Sequence, residues 1–294
     1  MGISFSMMRT ILSLMRVKHY VKNLIIFLAP LLTHQLFIKH AFLRTLAGFM
    51  IFSFTASIVY IINDIKDAES DRRHPLKCKR PIASGKISSR SAVIIAGLLL
   101  AFILCLWATV NFESIYIVLP CIYMIANFLY SAYLKNIPLL DVLILVFCYT
   151  ARLWYGAVLN NAEVSNWMFL TMMSASFFMG FGKRRNELQQ YGDSSRKSLR
   201  GYTVNFLDKA MQLSMTSSIV FYSLMCSDMN TSVASSGVNL LWTTPFITVI
   251  CLRYLMLVEN NSCDGDPVSV ILGDKILALL CSVYMCIVTI LLYK

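Results

Sequence analysis

NDIKDAESDRRHPLKCKRPIASG, residues 63 to 85, is the stretch on which the reading of this chain turns. It sets the carboxylates Asp64, Asp67, Glu69 and Asp71 and the bases Lys66, Arg72, Arg73, Lys77, Lys79 and Arg80 directly after the apolar run Val59-Tyr60-Ile61-Ile62. If a helix continues through the motif, Asn63, Asp67 and Asp71 recur every four residues on one face, with Asp64 three residues from Asp67 on the same side. Oxygen ligands at the mouth of a membrane helix suit Mg²⁺, which keeps several waters and takes one or two protein carboxylates plus substrate phosphates. On this reading Asn63, Asp64, Asp67 and Asp71 are the candidate metal ligands, with the three aspartates as candidate catalytic groups. Lys77, Lys79 and Arg80 face the same polyanion. A solvated loop of balanced charge is the plain alternative, and the NDxxDxxxD spacing with its Pro-containing basic tail argues against it.

Composition places these residues in a membrane. The 294 residues are 57% hydrophobic and 14% charged, with a mean hydropathy of +0.66, as expected of a polytopic membrane protein. Nine apolar segments can be drawn, at 24–38, 42–62, 91–110, 115–134, 138–158, 167–182, 206–228, 240–258 and 274–293, each near the ~20 residues a spanning helix needs. The expectation is an all-α, nine-transmembrane-helix bundle forming a single domain over residues 1–294. Residues 63–90 and 183–205 are its active-site loops. Nine cysteines lie mostly inside apolar runs with no CxxC pair, so they read as packing residues. The first 22 residues lack an apolar core followed by a small-residue cleavage site. They read instead as an interfacial arm, with Met8, Ile11, Leu12 and Met15 set against Arg9 and Arg16.

Charge sets the expected orientation. Lys and Arg crowd the N-terminal arm, residues 66–90, Lys135 and residues 183–200, whereas residues 111–114, 160–166 and 228–237 carry none. The positive-inside rule then puts the N-terminus and both basic loops in the cytoplasm and the C-terminus outside, in a bacterial inner or plasma membrane. Only Lys39 and Arg44 dissent.

A second constellation, Gly180-Phe181-Gly182-Lys183-Arg184-Arg185-Asn186-Glu187-Leu188, closes the sixth apolar segment. Lys183, Arg184 and Arg185 with Glu187 make a site that receives negative charge, since guanidinium groups fork onto phosphate oxygens and Lys acts as a point charge. Ordinary positive-inside topology is the plain alternative for each base. Asp141 and Arg152 interrupt the fifth apolar segment eleven residues apart, on roughly one face. Arg152 is deep enough to close the inner end of a polar cavity.

The NDxxDxxxD and HPxKxxRPIASG elements together resemble the first signature of the UbiA superfamily of intramembrane prenyltransferases. Tyr130-Ser131-x-x-Leu134-Lys135 is similar to that superfamily too. The usual second motif, DxxxD, is absent. The Lys183-Arg184-x-x-Glu187-Leu188 element, the run from Arg196 through Leu199 and Tyr202 to Phe206-Leu207-Asp208, and the matching Lys22-Asn23 resemble one branch, the polyprenyl-phosphate phosphoribosyltransferases. The arm departs from that branch at Val17, His19 and Tyr20, where Pro, Gln and Trp are usual.

The resemblance implies Mg²⁺-dependent transfer of 5-phosphoribosyl from 5-phosphoribosyl 1-diphosphate (PRPP) to a polyprenyl phosphate, a precursor step in cell-envelope polysaccharide synthesis. Expected partners are PRPP, the lipid and the bilayer, and no nucleic acid. Lys22, at a suitable height for a lipid head group, joins Asn63, Lys77, Lys79, Arg80, Tyr130, Lys135, Arg152, Lys183, Arg184, Arg185 and Glu187 as the expected substrate-binding set. Transfer of a prenyl group from its diphosphate to an aromatic or other acceptor is the alternative, and the KRRNE sequence opposes it. A transporter would line a through-path with charge, whereas these charges crowd one side.

Overall fold

The computed structural model describes residues 5–73, 77–110, 113–193, 196–228, 240–260 and 266–294. His74 of the first motif and Cys263 lie outside them. The described chain is helical throughout: α1 (Phe5–Leu14), a 3-10 segment (Val17–Phe27), α2 (Leu28–Leu32), α3 (Lys39–Lys66), α4 (Ala68–Arg72), α5 (Ser89–Thr109), α6 (Ile115–Ala132), α7 (Leu140–Leu159), α8 (Asn166–Tyr191), α9 (Val204–Ser227), α10 (Thr244–Glu259), α11 (Pro267–Gly273) and α12 (Lys275–Tyr293). Among the described residues, six helical stretches are long and apolar enough to cross a bilayer: α3, α5, α6, α7, residues 240–259 and α12. The chain is an integral membrane protein.

Two expectations change. The first expected span, 24–38, is a 3-10 segment running into the five-residue α2. Fifteen residues fall short of a bilayer, and the turn that ends α2 leads into His34 with φ +58°. Among the described residues, six of the nine expected spans are long, strongly apolar helices, with the broken first segment and the more polar α8 and α9 beside them. The second revision concerns α8, which does not stop at residue 182. Lys183 to Tyr191 continue it, because Lys, Arg, Glu, Leu and Gln are good helix formers.

Burial sorts the helices. In α3 and α7, 67% and 61% of the apolar window is buried, against 11% in α5 and 17% in α12. The outer helices turn Leu98, Leu279 and Ile290 outward, a lipid-facing pattern. The central pair carries the charged groups: Asp64 at the end of α3, Asp141 and Arg152 on α7. Gly156 brings the 3-10 segment against α7, since a Cβ there would lie 1.9 Å from the Ile26 carbonyl oxygen. That approach puts Asn23 beside Arg152.

Candidate active site

Helical hydrogen bonding carries on past α3 into the motif: Asp67 N–H donates to the Asn63 carbonyl (2.9 Å) and Asp71 N–H to the Asp67 carbonyl (2.8 Å). The expected four-residue repeat is therefore real in the backbone. The side chains divide differently. Asp64 and Asp71, seven residues or two turns apart, share one face, and both are buried. A single nitrogen of Arg80, Nη1, donates to Asp64 at 3.1 Å and to Asp71 at 2.7 Å. Arg16 donates to the same Asp64 oxygen at 2.6 Å, lies over the Tyr60 ring at 4.7 Å and has φ +53°, a conformation a non-glycine residue adopts at a cost of about 1–2 kcal/mol. Asp67 stands apart, half-buried, with Lys135 at 3.9 Å.

The second basic element folds onto the first motif. Arg184 is fully buried: Nε lies 2.6 Å from Asp141 and Nη1 2.6 Å from Glu187. The Tyr130 hydroxyl accepts from Arg184 (3.1 Å) and from Arg196 (2.8 Å). Lys77 sits between the two elements. Burial and then Arg80 push its ammonium pKa below the usual lysine range, and Asp71 and Glu187 oppose that fall. The run from Arg196 to Asp208 is tied to the bundle at several points. Arg196 reaches Tyr130, and Leu199 packs with no exposure. Tyr202 and Ser198 donate to buried Asp141 at 2.7 and 3.0 Å, and Asp208 accepts from Arg185. Arg185 and Asp141 thus anchor this run at both ends.

A third group was illegible as such. Lys22 of the 3-10 segment donates to Asp266 at 2.6 Å, with Lys183 of α8 at 3.7 Å from the same oxygen. His19 lies 3.7 Å from the other. Burial would raise the Asp266 carboxyl, but Lys22 and Lys183 outweigh it and hold the pKa at about 2. Burial and then Lys22 push His19 down to about 4, so it is neutral near neutral pH. Deeper still, Arg152 donates to Asn23 (2.7 Å) and to the Cys148 carbonyl, and lies over Phe52 and Tyr123. Asn23 in turn donates to Ser53 (2.9 Å). Lys79 is exposed. It lines a separate cavity of about 510 Å³ with Arg9, Thr10, Ser13 and Lys86.

Sequence reasoning missed Arg16 as a partner of Asp64, and missed Asp266 altogether. Asp266 follows Cys-Asp-Gly and precedes Pro, a run that reads as a turn.

Among the described residues no three His, Cys, Asp or Glu side chains converge as a metal-ligand cluster. The donor chemistry nonetheless fits Mg²⁺. Two buried carboxylates converge on a shared cation, Arg80 Nη1, and a Mg²⁺ site needs no more than one or two protein carboxylates when phosphates complete it.

The comparisons with known proteins agree with this architecture. Decaprenyl-phosphate phosphoribosyltransferase of Mycolicibacterium smegmatis is 31% identical over 90% of this chain and 86% of its own. That of Corynebacterium glutamicum is 30% identical over 93% and 84%. A UbiA homolog from Archaeoglobus fulgidus, solved bound to GPP and Mg²⁺, superposes with a TM-score of 0.70 over 97% of this chain and all of that one, at 16% identity. The profile of the UbiA prenyltransferase family matches residues 24–292. This chain, a membrane transferase, belongs to the UbiA prenyltransferase family.

Proposed function

We propose that the protein transfers 5-phosphoribosyl from PRPP to a polyprenyl phosphate with release of diphosphate. One observation carries this reading. Asp64, Asp67, Asp71 and Glu187 each have a Lys or Arg within 4.0 Å, Lys77 feels both Asp71 and Glu187, and Lys22 and Lys183 share the single carboxylate of Asp266, so cations outnumber carboxylates here. Such a site is suited to two polyanions together, which is the demand of joining a phosphate monoester to PRPP. The names of the relatives point the same way. Prenyl transfer to an aromatic acceptor brings only one polyanion and leaves this surplus without a use.

In the reaction a lipid phosphate oxygen bonds to ribose C1 as the bond from C1 to the diphosphate breaks. The nucleophile needs no strong base, because a phosphate monoester with a second pKa of about 6 is mostly dianionic near neutrality. Charge stabilisation supplies the catalysis. Asp64 and Asp71, with Asn63 and Asp67 on the adjoining turns, would hold Mg²⁺, which neutralises the leaving diphosphate when bound. Arg80 and Lys77 hold diphosphate oxygens. Arg196 and Lys183, both partly exposed, take the remaining phosphates, and buried Arg184, Arg185 and Arg152 keep the walls in place. We place this end of the bundle and the N-terminus in the cytoplasm, on the Lys/Arg distribution.

Asp67→Asn provides the test. Its side chain is a third exposed and its nearest cation is 3.9 Å away, so the change costs little stability. Mg²⁺-dependent turnover should be lost while the extracted protein keeps its thermal midpoint. Full activity of the variant would remove Asp67 from the site.

A further inference from the structure

Three segments far apart in sequence meet at Asp266, which caps no helix with its side chain. Lys22 comes from the N-terminal 3-10 segment and Lys183 from α8, 161 residues later in the chain, yet both ammonium groups approach one oxygen, Asp266 Oδ1, at 2.6 and 3.7 Å. Two ammonium groups so close repel unless an anion lies between them. The carboxylate supplies that anion in the free protein. The lysine side chains keep 15% and 29% of their surface exposed and Asp266 keeps 11%, so a ligand can reach the cations, Lys183 most readily. With His19 neutral, the cluster carries one net positive charge.

We propose that Asp266 is a positioning residue that gathers Lys22 and Lys183 into a single receptor for a phosphate monoester. The tetrahedral phosphate accepts from both ammonium groups at once while Asp266 keeps them from separating. The substrate class rests on the proposed phosphoribosyl transfer, in which two groups are phosphate monoesters: the lipid head and the 5-phosphate of PRPP. The chemistry of recognition is common to both.

The experiment compares the wild type with Asp266→Asn and Asp266→Glu in detergent. It measures KM for each substrate with the other saturating, and equilibrium binding of farnesyl phosphate and of ribose 5-phosphate without turnover. Asparagine cannot hold two ammonium groups by charge. It should raise one KM by about tenfold or more, the worth of a charge-assisted hydrogen bond, and weaken binding of the matching probe, with kcat little changed. Glutamate should restore most of the loss. A rise with farnesyl phosphate assigns the receptor to the lipid, and a rise with ribose 5-phosphate assigns it to the sugar. Unchanged KM and binding for both, a lowered thermal midpoint with equal losses in the Asn and Glu variants, or no binding of either probe by the wild type would overturn the proposal. If the wild type binds farnesyl phosphate but transfers no phosphoribosyl, and Asp266→Asn loses that binding, the reaction is misread and the receptor stands.

Discussion

Arg184 was expected from sequence to touch substrate, and its surroundings predict a different phenotype on mutation. The side chain is fully buried and its guanidinium serves Asp141, Glu187 and the Tyr130 hydroxyl. Arg184→Met keeps most of the volume and removes the charge. Asp141, itself fully buried, would then keep only Ser198 and Tyr202, both neutral donors. Glu187 would lose its 2.6 Å partner and keep the more distant Arg196, at 3.9 Å, with the charges of Lys183 and Lys77 nearby. Removing one partner of a buried ion pair costs about 3–5 kcal/mol, because the other charge stays buried and uncompensated. For a protein of this size that corresponds to a fall in thermal midpoint on the order of 5–10 °C. The assay is tryptophan fluorescence or light scattering on heating the purified protein in detergent. Adding Asp141→Asn to Arg184→Met should recover part of the loss, because it neutralises the orphaned carboxylate. A coupling on the order of 1–3 kcal/mol is expected between groups in contact. The reasoning is refuted if Arg184→Met melts with the wild type while its KM for PRPP rises, since the guanidinium would then face substrate.

Two other expectations concern packing and pH. Gly156→Ala should lower the thermal midpoint through overpacking at the upper end of about 1–3 kcal/mol, because the new methyl meets the Ile26 carbonyl oxygen rather than a flexible side chain; a midpoint equal to the wild type would mean the 3-10 segment does not bear on α7. With PRPP and Mg²⁺ saturating, kcat/KM for the lipid phosphate should rise with pH through about 6, the second pKa of the monoester itself. Asp266, at about 2, stays ionised across that range and His19, at about 4, stays neutral, so neither contributes a limb there, and a limb that moves in His19→Gln would contradict the assignment.

Local periodicity was legible in the sequence, and long-range pairing was not. The four-residue repeat of Asn63, Asp67 and Asp71 put these residues on one face only if the helix continued into the expected loop, and the backbone hydrogen bonds show that it does. The same helical geometry also puts Asp64 and Asp71 on one face, seven residues apart, where Arg80 binds both. The depth of Arg152 was readable from its place in an apolar run, and its partner Asn23, 129 residues away, was not. Asp141 was read only as a charge interrupting an apolar segment, and its partner Arg184 belongs to the motif that was read as receiving substrate charge. Asp266 left no signal because a carboxylate beside a proline after a glycine is what a turn looks like. Only the packing of three remote segments gives it two lysines. The first expected span is broken where a single helix was expected, a 3-10 segment running into the five-residue α2.

One measurement bears most directly on the central claim. The purified protein, with Mg²⁺, is offered PRPP labelled in the ribose together with a short polyprenyl phosphate, and in parallel a prenyl diphosphate with an aromatic acceptor. The account predicts label entering the organic phase as a lipid-linked phosphoribose, loss of that label on chelation or in Asp67→Asn, and no prenylated aromatic product. Prenylation of the acceptor with no labelled lipid would contradict it.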